Sequence, residues 1–267
     1  MADAVKIWND VEKIRETSPL VHNITNYVVM NSTANAILAI GASPVMAHAI
    51  EEVEDMVGIA SAVGGALVVN IGTLSQRWIE AMSAAMKRAA LKNVPIIFDP
   101  VGAGATSYRT DTCKALLQDT RPTIIRGNAS EIMALLDAEV KTKGVDSSQT
   151  SDSARDSAQH LARMHQCVVS VSGETDLITD GTDVMTIRNG HPLMPRVTGL
   201  GCTASALTGV FTAVNSTPLF AATHAMAVMG VCGEIAAEQA QGPGTLQLYF
   251  YDALYNLTRE QMTRYLK

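Results

Sequence analysis

The sequence predicts an α/β protein with a mostly parallel central sheet and helices on both of its faces. About six short apolar segments alternate with helical segments of about ten residues or more, an order that favours parallel strands joined by right-handed crossovers. Hydrophobic residues make up 47% of the 267 residues and charged residues 17%, so the chain can cover a sheet on two sides. Because the alternation continues to the end, residues 1–267 are predicted to form one domain.

The first half of the chain shows the alternation most clearly. Val5, Trp8 and Val11 are spaced as on one face of a helix. They predict a helix over Ala4–Glu16, which Pro19 ends. The strands predicted next are Leu20–Ile24, Ser43–Met46, Ala66–Asn70 and Pro95–Phe98. The helices predicted between them run through Ala39, over Glu51–Val63 and over Gln76–Leu91.

The second half adds a hairpin and three apolar helices. Asp180-Gly181 separates two apolar runs, Leu177–Thr179 and Val184–Ile187, and predicts an antiparallel hairpin. The polar segment Val140–Thr150 predicts a surface loop within the domain. The other predicted elements are the strands Pro122–Ile125 and Cys167–Val171 and the helices Asp111–Leu117, Asp152–Met164, one after Gly201, Thr223–Gln239 and Tyr249–Leu266.

Charge and cysteine content exclude several classes of protein. The formal net charge is −6 and no basic run stands out, which argues against a nucleic-acid partner. No signal peptide is expected before Trp8, and no apolar run is expected to reach the ~20 residues that a membrane span needs. The four cysteines lack the paired spacing of zinc or redox sites and predict free thiols in a reducing cytoplasm. They are Cys113, Cys167, Cys202 and Cys232.

Polar residues gather where the predicted strands end. In parallel sheets, ligands bind outside the carboxyl ends of the strands. Polar side chains at the edge of an apolar sheet are costly unless something binds there, so we predict a site at this edge. Its candidate polar residues include Asn26, Asn70, Asp99, Arg126, Asn128 and Ser172.

The segment Gly199–Cys202 is the strongest single signal in the chain. Two glycines precede an apolar helix of small residues, so backbone N–H groups and the positive end of the helix dipole are open to an anion such as phosphate. Cys202 stands at the helix start, where a thiol ionises most easily. The alternative is a tight turn into a buried helix with an inert cysteine.

These residues can fill the roles of phosphoryl transfer. Gly199–Cys202 amides and Arg126 would hold the phosphates, Glu131 and Asp99 would hold Mg²⁺ directly or through water, and Cys202 would accept the proton of the attacking hydroxyl. Glu131 has a rival role as a helix cap with Asn128, and Asp99 has one as a turn residue before a proline. No glycine-rich phosphate loop ending in Lys-Ser or Lys-Thr is present.

Five blocks of the sequence carry a family resemblance. They are Ser18–Asn26, Ala42–Met46, Asp99–Ala103, Ile125–Glu131 and Val197–Cys202. Together and in this order they resemble hydroxyethylthiazole kinase of thiamine salvage. The resemblance implies a ribokinase-like three-layer α/β/α sandwich, ATP and Mg²⁺ as cosubstrate and cofactor, and a homotrimer with sites shared between subunits.

The resemblance also implies roles for individual residues. Met46 and Gly199 would contact the thiazole alcohol, and Asn26 is predicted to bind it as well. Arg126 and Ser172 would contact ATP. In the wider ribokinase-like group an Asp commonly occupies the base position, where this family, like this chain, has a cysteine.

The expected reaction is ATP-dependent phosphorylation of the hydroxyl of 4-methyl-5-(2-hydroxyethyl)thiazole. Two alternatives remain open at this point. A ribokinase-like ATP-dependent dehydratase would share the fold but release free phosphate. A non-catalytic nucleotide-binding module would bind ATP without turnover.

Overall fold

The computed structural model describes residues 2–142 and 153–267. The strands are β1 Leu20–Ile24, β2 Ser43–Met46, β3 Ala66–Asn70, β4 Ile96–Asp99, β5 Ile124–Asn128, β6 Val168–Ser172, β7 Asp176–Thr179 and β8 Val184–Ile187. The helices are α1 Ala4–Thr17, α2 Met30–Ile40, α3 Val53–Ala62, α4 Gln76–Lys92, α5 Ser107–Asp119, α6 Ala129–Thr142, α7 Ser153–His165, α8 Leu200–Val214, α9 Pro218–Gln239, α10 Pro243–Asn256 and α11 Arg259–Tyr265.

One sheet holds the fold together. Its strand order is β2-β1-β3-β4-β5-β6-β7-β8. The strands from β2 to β6 pair in parallel, and β7 and β8 add an antiparallel hairpin at the far edge. The predicted mostly parallel sheet is confirmed, as is the hairpin around Asp180-Gly181.

Two apolar cores lie on opposite faces of the sheet, because successive side chains of a strand point to opposite sides. Val68 and Ile97 face one core, which α1, α2 and α8 to α11 cover. Leu67, Val69 and Phe98 face the other, which α3 to α7 cover. The predicted three-layer α/β/α sandwich is therefore confirmed.

Helix α8 lies unusually close to the sheet. A Cβ at Gly209 would be 2.6 Å from Val68 Cγ2 and 3.2 Å from Val21 Cγ1, so only glycine permits this approach. The glycine in the middle of the helix therefore serves packing and not flexibility.

Helix α9 corrects one expectation. It is long and apolar enough to cross a membrane by length and composition, contrary to the prediction that no run reaches this size. However, 89% of its apolar window is buried inside the protein, against α8 and α10. It is a central helix of the core.

Other differences concern where elements begin and end. The predicted helix Tyr249–Leu266 is two helices, since Thr258 caps a new one and its capping box with Gln261 starts α11. Strand β5 continues through Asn128, past its predicted end. The first residues of the predicted loop Val140–Thr150 belong to α6, and the rest lies outside the described residues.

Candidate active site

The carboxyl ends of the parallel strands meet at one edge, where α8 begins. Asn70 and Asp99 are register partners at the ends of β3 and β4. On the next strands, Asn128 pairs with Ser172. The edge predicted from the sequence is therefore a continuous row of polar residues.

The start of α8 has the geometry expected of an anion site. Gly199 is its N-cap, with φ of +85°, a conformation that favours glycine, and it supplies no side-chain cap. The first N–H groups of a helix have no partners within the helix, so those of α8 are available to a ligand. A Cβ on Gly199 would lie 2.6 Å from Val29 Cγ1, which adds a steric reason for glycine here.

Arg126 joins the sheet edge to this helix start. Its guanidinium donates to the Gly201 carbonyl oxygen at 2.8 Å and to the Ser172 hydroxyl. The side chain is only 7% exposed, and its Nε has no hydrogen-bond partner. A buried arginine with an unused donor beside an open helix end favours a phosphate-binding role.

Asp99 is the most deeply buried carboxyl group of the site. It is 1% exposed, and its Oδ2 accepts hydrogen bonds from Asn70 Nδ2 at 2.8 Å and from the Ser205 hydroxyl at 2.6 Å. Burial raises its pKa to about 6, and the nearby Glu131 adds to the rise, whereas Arg126 and the two donors oppose it. Asp99 is therefore a buried and hydrogen-bonded acid as well as the residue before a proline.

Cys202 is linked to Asp99 through two amides. Asn26 Nδ2 donates to Cys202 Sγ at 3.4 Å and to Asn70 Oδ1 at 2.9 Å, and Asn70 in turn donates to Asp99. Burial and the charge of Asp99 raise the pKa of the Cys202 thiol to about 11, although the asparagines and Arg126 oppose this. The expectation of an easily ionised thiol is thus wrong in direction, because removal from water has the largest influence on this pKa.

Glu131 forms the cap that was its rival interpretation. Its Oε2 accepts the Asn128 N–H at 2.8 Å, its Oε1 accepts the Gly102 N–H at 2.9 Å, and its own N–H donates to Asn128 Oδ1 at 2.9 Å. A carboxylate has about four acceptor positions, so capping leaves room for a further ligand. The capping role does not exclude the metal role.

The carboxylates also bear on the predicted Mg²⁺. Within residues 2–142 and 153–267, no cluster of three or more His, Cys, Asp or Glu side chains could hold a metal ion. Mg²⁺ is commonly held by one or two carboxylates together with substrate phosphates and water. Asp99 and Glu131 are close enough for the charge of Glu131 to raise the pKa of Asp99, so this pair fits such a cation.

A cavity of about 910 Å³ opens beside the start of α8. Its polar lining residues include Arg126, Ser172, Asp176 and Thr198. Its apolar lining includes three methionines, here called the methionine wall: Met194, Met226 and Met229. A lining of both kinds suits a ligand with a charged group and a flat ring.

The structure brings most of the predicted site residues together. Arg126 and Ser172 are in contact, Asn26 is joined to Cys202, and Gly199 starts the same helix. Met46 ends β2 and packs against the core on the α8 face.

Several residues of the site escaped the sequence analysis. Ser205 belongs to the helix of small residues predicted after Gly201, yet its hydroxyl donates a hydrogen bond to Asp99. No sequence motif marks the methionines that line the cavity. One signal was present: Gly230, within the apolar helix α9, where a Cβ would lie 2.5 Å from the Asn189 carbonyl oxygen beside the cavity. A glycine at such a place indicates close approach of another segment.

Comparisons with known proteins agree with the motifs. A model of the hydroxyethylthiazole kinase family matches residues 11–260. A hydroxyethylthiazole kinase of Syntrophus aciditrophicus is 60% identical over 97% of this chain and 95% of that protein. Another, from Leptospira biflexa, is 55% identical over 94% of this chain and 92% of that protein.

Solved structures give the same result. The hydroxyethylthiazole kinase protein of Pyrococcus horikoshii OT3 matches with a TM-score of 0.90 and 42% identity over 98% of both chains. A ribokinase-like superfamily protein from Enterococcus faecalis, at 14% identity and a TM-score of 0.63, shares the fold. The motifs, the fold and these matches have one conclusion in common: the chain belongs to the hydroxyethylthiazole kinase family.

Proposed function

We propose that the protein transfers the γ-phosphoryl group of ATP to the hydroxyl of 4-methyl-5-(2-hydroxyethyl)thiazole, a step of thiamine salvage. The observation that carries the proposal is the meeting of three parts at one sheet edge. The open start of α8, the buried Arg126 and the chain from Cys202 to Asp99 all lie there. Membership of the chain in a kinase family supports this proposal.

The 910 Å³ cavity is the proposed ATP site. Arg126 and Ser172 would contact the phosphates together with the amides at the start of α8, since these groups are donors directed to one place. The methionine wall would hold the adenine ring. Binding there would bring the γ-phosphoryl group towards Cys202, in the first turn of α8.

Asp99 and Glu131 would hold the Mg²⁺, directly or through water. The cation would supply positive charge to the phosphates. It would also favour the ionised form of Asp99, whose pKa burial raises to about 6.

Cys202 would accept the proton that the alcohol loses as its oxygen bonds to phosphorus. The O–H bond breaks, an S–H bond forms on the thiolate, and ADP leaves with the electrons of the P–O bond. Because burial raises the thiol pKa to about 11, the thiolate is scarce at neutral pH. Positioning and charge stabilisation would therefore supply most of the catalysis.

The thiazole alcohol would bind beside Cys202, in contact with Met46, Gly199 and Asn26. We further propose a homotrimer with sites shared between subunits, located in the cytoplasm. Exposed apolar side chains support the trimer. They lie on the segments that precede and follow the open edge strand β2 in the chain and include Tyr27, Val28, Leu38, Ile59 and Val63.

Product analysis with ATP and the thiazole alcohol tests the function. We expect ADP and the thiazole phosphate in equal amounts. Free phosphate without a phosphorylated thiazole would favour a dehydratase, and ATP binding without turnover would favour a nucleotide-binding module. Either of these results would contradict the proposal.

A further inference from the structure

Two asparagine side chains form a hydrogen-bonded chain between Asp99 and Cys202. Asn26 comes from the segment after β1, and Asn70 ends β3. Asn70 and Asp99 are each no more than 1% exposed. This buried amide chain ends on the sulfur of Cys202 at the start of α8.

The orientation of Asn26 follows from its neighbours. The backbone N–H of Val28 donates to Asn26 Oδ1 at 3.1 Å. Because a backbone N–H can only donate, the oxygen of the amide must face Val28 and the NH₂ group must face the other way. That NH₂ group lies 2.9 Å from Asn70 Oδ1 and 3.4 Å from Cys202 Sγ.

The orientation of Asn70 follows in the same way. The Gly72 N–H donates to Asn70 Oδ1 at 2.9 Å, so the Asn70 NH₂ group must face Asp99 Oδ2, 2.8 Å away. The Ser205 hydroxyl, on the same helix as Cys202, donates to that oxygen as well. Asn70 therefore presents an oxygen to Asn26 and has no free choice of orientation.

Packing holds Asn26 in place from another side. A Cβ at Gly72 would lie 2.5 Å from Asn26 Nδ2 and 2.9 Å from Asn26 Cβ. Only glycine at this position leaves room for the Asn26 side chain. The contact offers a way to displace Asn26 without removing any polar group.

We propose that Asn70 is a positioning residue, which holds the Asn26 carboxamide so that its NH₂ group donates to the sulfur of Cys202. A hydrogen bond to a sulfur strengthens as the sulfur gains negative charge. The pair would thus stabilise the thiolate form that accepts the proton of the alcohol. The catalytic meaning of this pair rests on the proposed function, whereas the effect on the sulfur does not.

The test is the rate at which iodoacetamide alkylates Cys202 at pH 8 in the folded full-length protein, followed by mass spectrometry of the peptide. Thiolates react and thiols do not, so the rate reports on the hydrogen bond to the sulfur. We expect Asn70→Ala and Asn26→Ala each to slow alkylation about tenfold, the scale of one hydrogen bond to a charged group. Asn70 also lowers the pKa of Cys202 by a hydrogen bond of its own. The double variant should therefore be slower than Asn26→Ala alone, but by less than the product of the two single effects, because Asn70 acts in part through Asn26.

Two further variants keep the test sharp if Asn70→Ala folds poorly. Gly72→Ala should slow alkylation similarly, because it pushes Asn26 aside while both amides remain. Asn23→Ala is the matched control, since Asn23 is a buried asparagine on β1 that bonds only the Val21 carbonyl oxygen among the described contacts. It should change the rate by less than about twofold.

Two results would overturn the proposal. One is unchanged alkylation in Asn70→Ala when Asn26→Ala slows it. The other is a double variant in which the two effects multiply, since Asn70 would then act independently. Alkylation does not depend on turnover, so it tests the relation between the two asparagines separately from the proposed function. A fully active Cys202→Ser variant would contradict the proposed base and would leave the alkylation result unaffected.

Discussion

At the scale of single residues, two of the proposed site side chains are buried, and burial disfavours their charged forms. Asp99 and Cys202 both have raised pKa values because the site removes them from water. Such groups are expensive to keep in a folded protein and indicate selection for something other than stability. Three predictions follow from individual side chains.

The first prediction concerns Cys202. We expect Cys202→Ser to lose most of the activity and still bind ATP and the thiazole alcohol, since a hydroxyl keeps the size but is a poor base. Cys202→Asp should remain active, because a carboxylate ionises more readily than this thiol. Steady-state kinetics with calorimetric binding checks both. If the serine variant were as fast as the native enzyme and the aspartate variant were inactive, Cys202 would be a packing residue and not the base.

The second prediction concerns Glu131→Gln. If Glu131 holds Mg²⁺, activity should fall by about two orders of magnitude or more. Gln has one oxygen where the native carboxylate accepts two backbone N–H groups, so stability should also fall by about 1 kcal/mol. The fold should survive, as Gln261 fills the equivalent capping position of α11. Kinetics across a Mg²⁺ titration measure the effect. An unchanged titration curve would exclude the metal role and leave Glu131 with the helix-capping role only.

The third prediction concerns Asp99→Asn in the metal-free protein. Between pH 3.8 and about 6 the folded state binds more protons at Asp99 than the unfolded state, so native stability falls as pH rises through this window. Asparagine keeps an oxygen for Ser205 and Asn70 and removes the charge. The variant should be more stable than the native protein by roughly 2–3 kcal/mol at pH 8 and by almost nothing at pH 4. Urea unfolding in EDTA at both pH values is the measurement; a difference independent of pH would exclude a buried charge at Asp99.

At the scale of elements, the sequence was informative wherever one local pattern decides the structure. Strands β1, β2 and β3 and the β7–β8 hairpin match their predictions closely, because apolar runs between turn residues are local signals. Strand β5 was predicted too short, since Gly127 and Asn128 favour strands poorly and only pairing with β6 extends it. The break before α11 was missed because its apolar spacing continues across it.

In the candidate site too, only the features that a local pattern or the topology decides could be predicted. That polar residues cluster at the strand ends follows from topology alone and was predictable. The bond between Ser205 and Asp99 joins residues 106 positions apart, and that between Asn70 and Asp99 joins residues 29 apart. Neither leaves a local pattern. The raised pKa of Cys202 also depends on burial, which a sequence motif does not contain.

An element-scale prediction compares two glycines. Gly199→Ala should destabilise the protein by about 2 kcal/mol, because φ is +85° there and the new Cβ would meet Val29. Gly58→Ala, inside α3 with nothing within 4 Å of a new Cβ, should instead stabilise it by up to ~1 kcal/mol. Urea unfolding of both variants gives the comparison. Equal effects would show that the start of α8 tolerates a side chain.

At the scale of the whole molecule, exposed apolar surface adjoins the site on the flank around Val28. Val28 is 69% exposed and stands two residues after Asn26, at the carboxyl edge of the sheet. Exposed apolar groups beside a site are typical of an interface. A neighbouring subunit would cover them and close the mouth of the substrate site.

The prediction at this scale is a closed cyclic trimer. Light scattering should give three times the chain mass of 28.4 kDa. Val28→Asp should shift the protein towards monomers and lower activity with it. Leu91→Asp, at a 78% exposed position at the end of α4 and away from this flank, should leave the trimer intact. A fully active monomer would contradict both the trimer and the shared site.

The close packing of α8 on the sheet has a consequence for how the protein binds ligands. Gly209 lets the helix touch β1 and β3, so it has no space in which to slide or tilt, and it carries Cys202 and Ser205. Its free amides are thus fixed in direction when the chain folds, so binding of ATP there would cost the protein little conformational entropy. The cavity side is held in a similar way, since a Cβ at Gly230 of α9 would lie 2.5 Å from the Asn189 carbonyl oxygen.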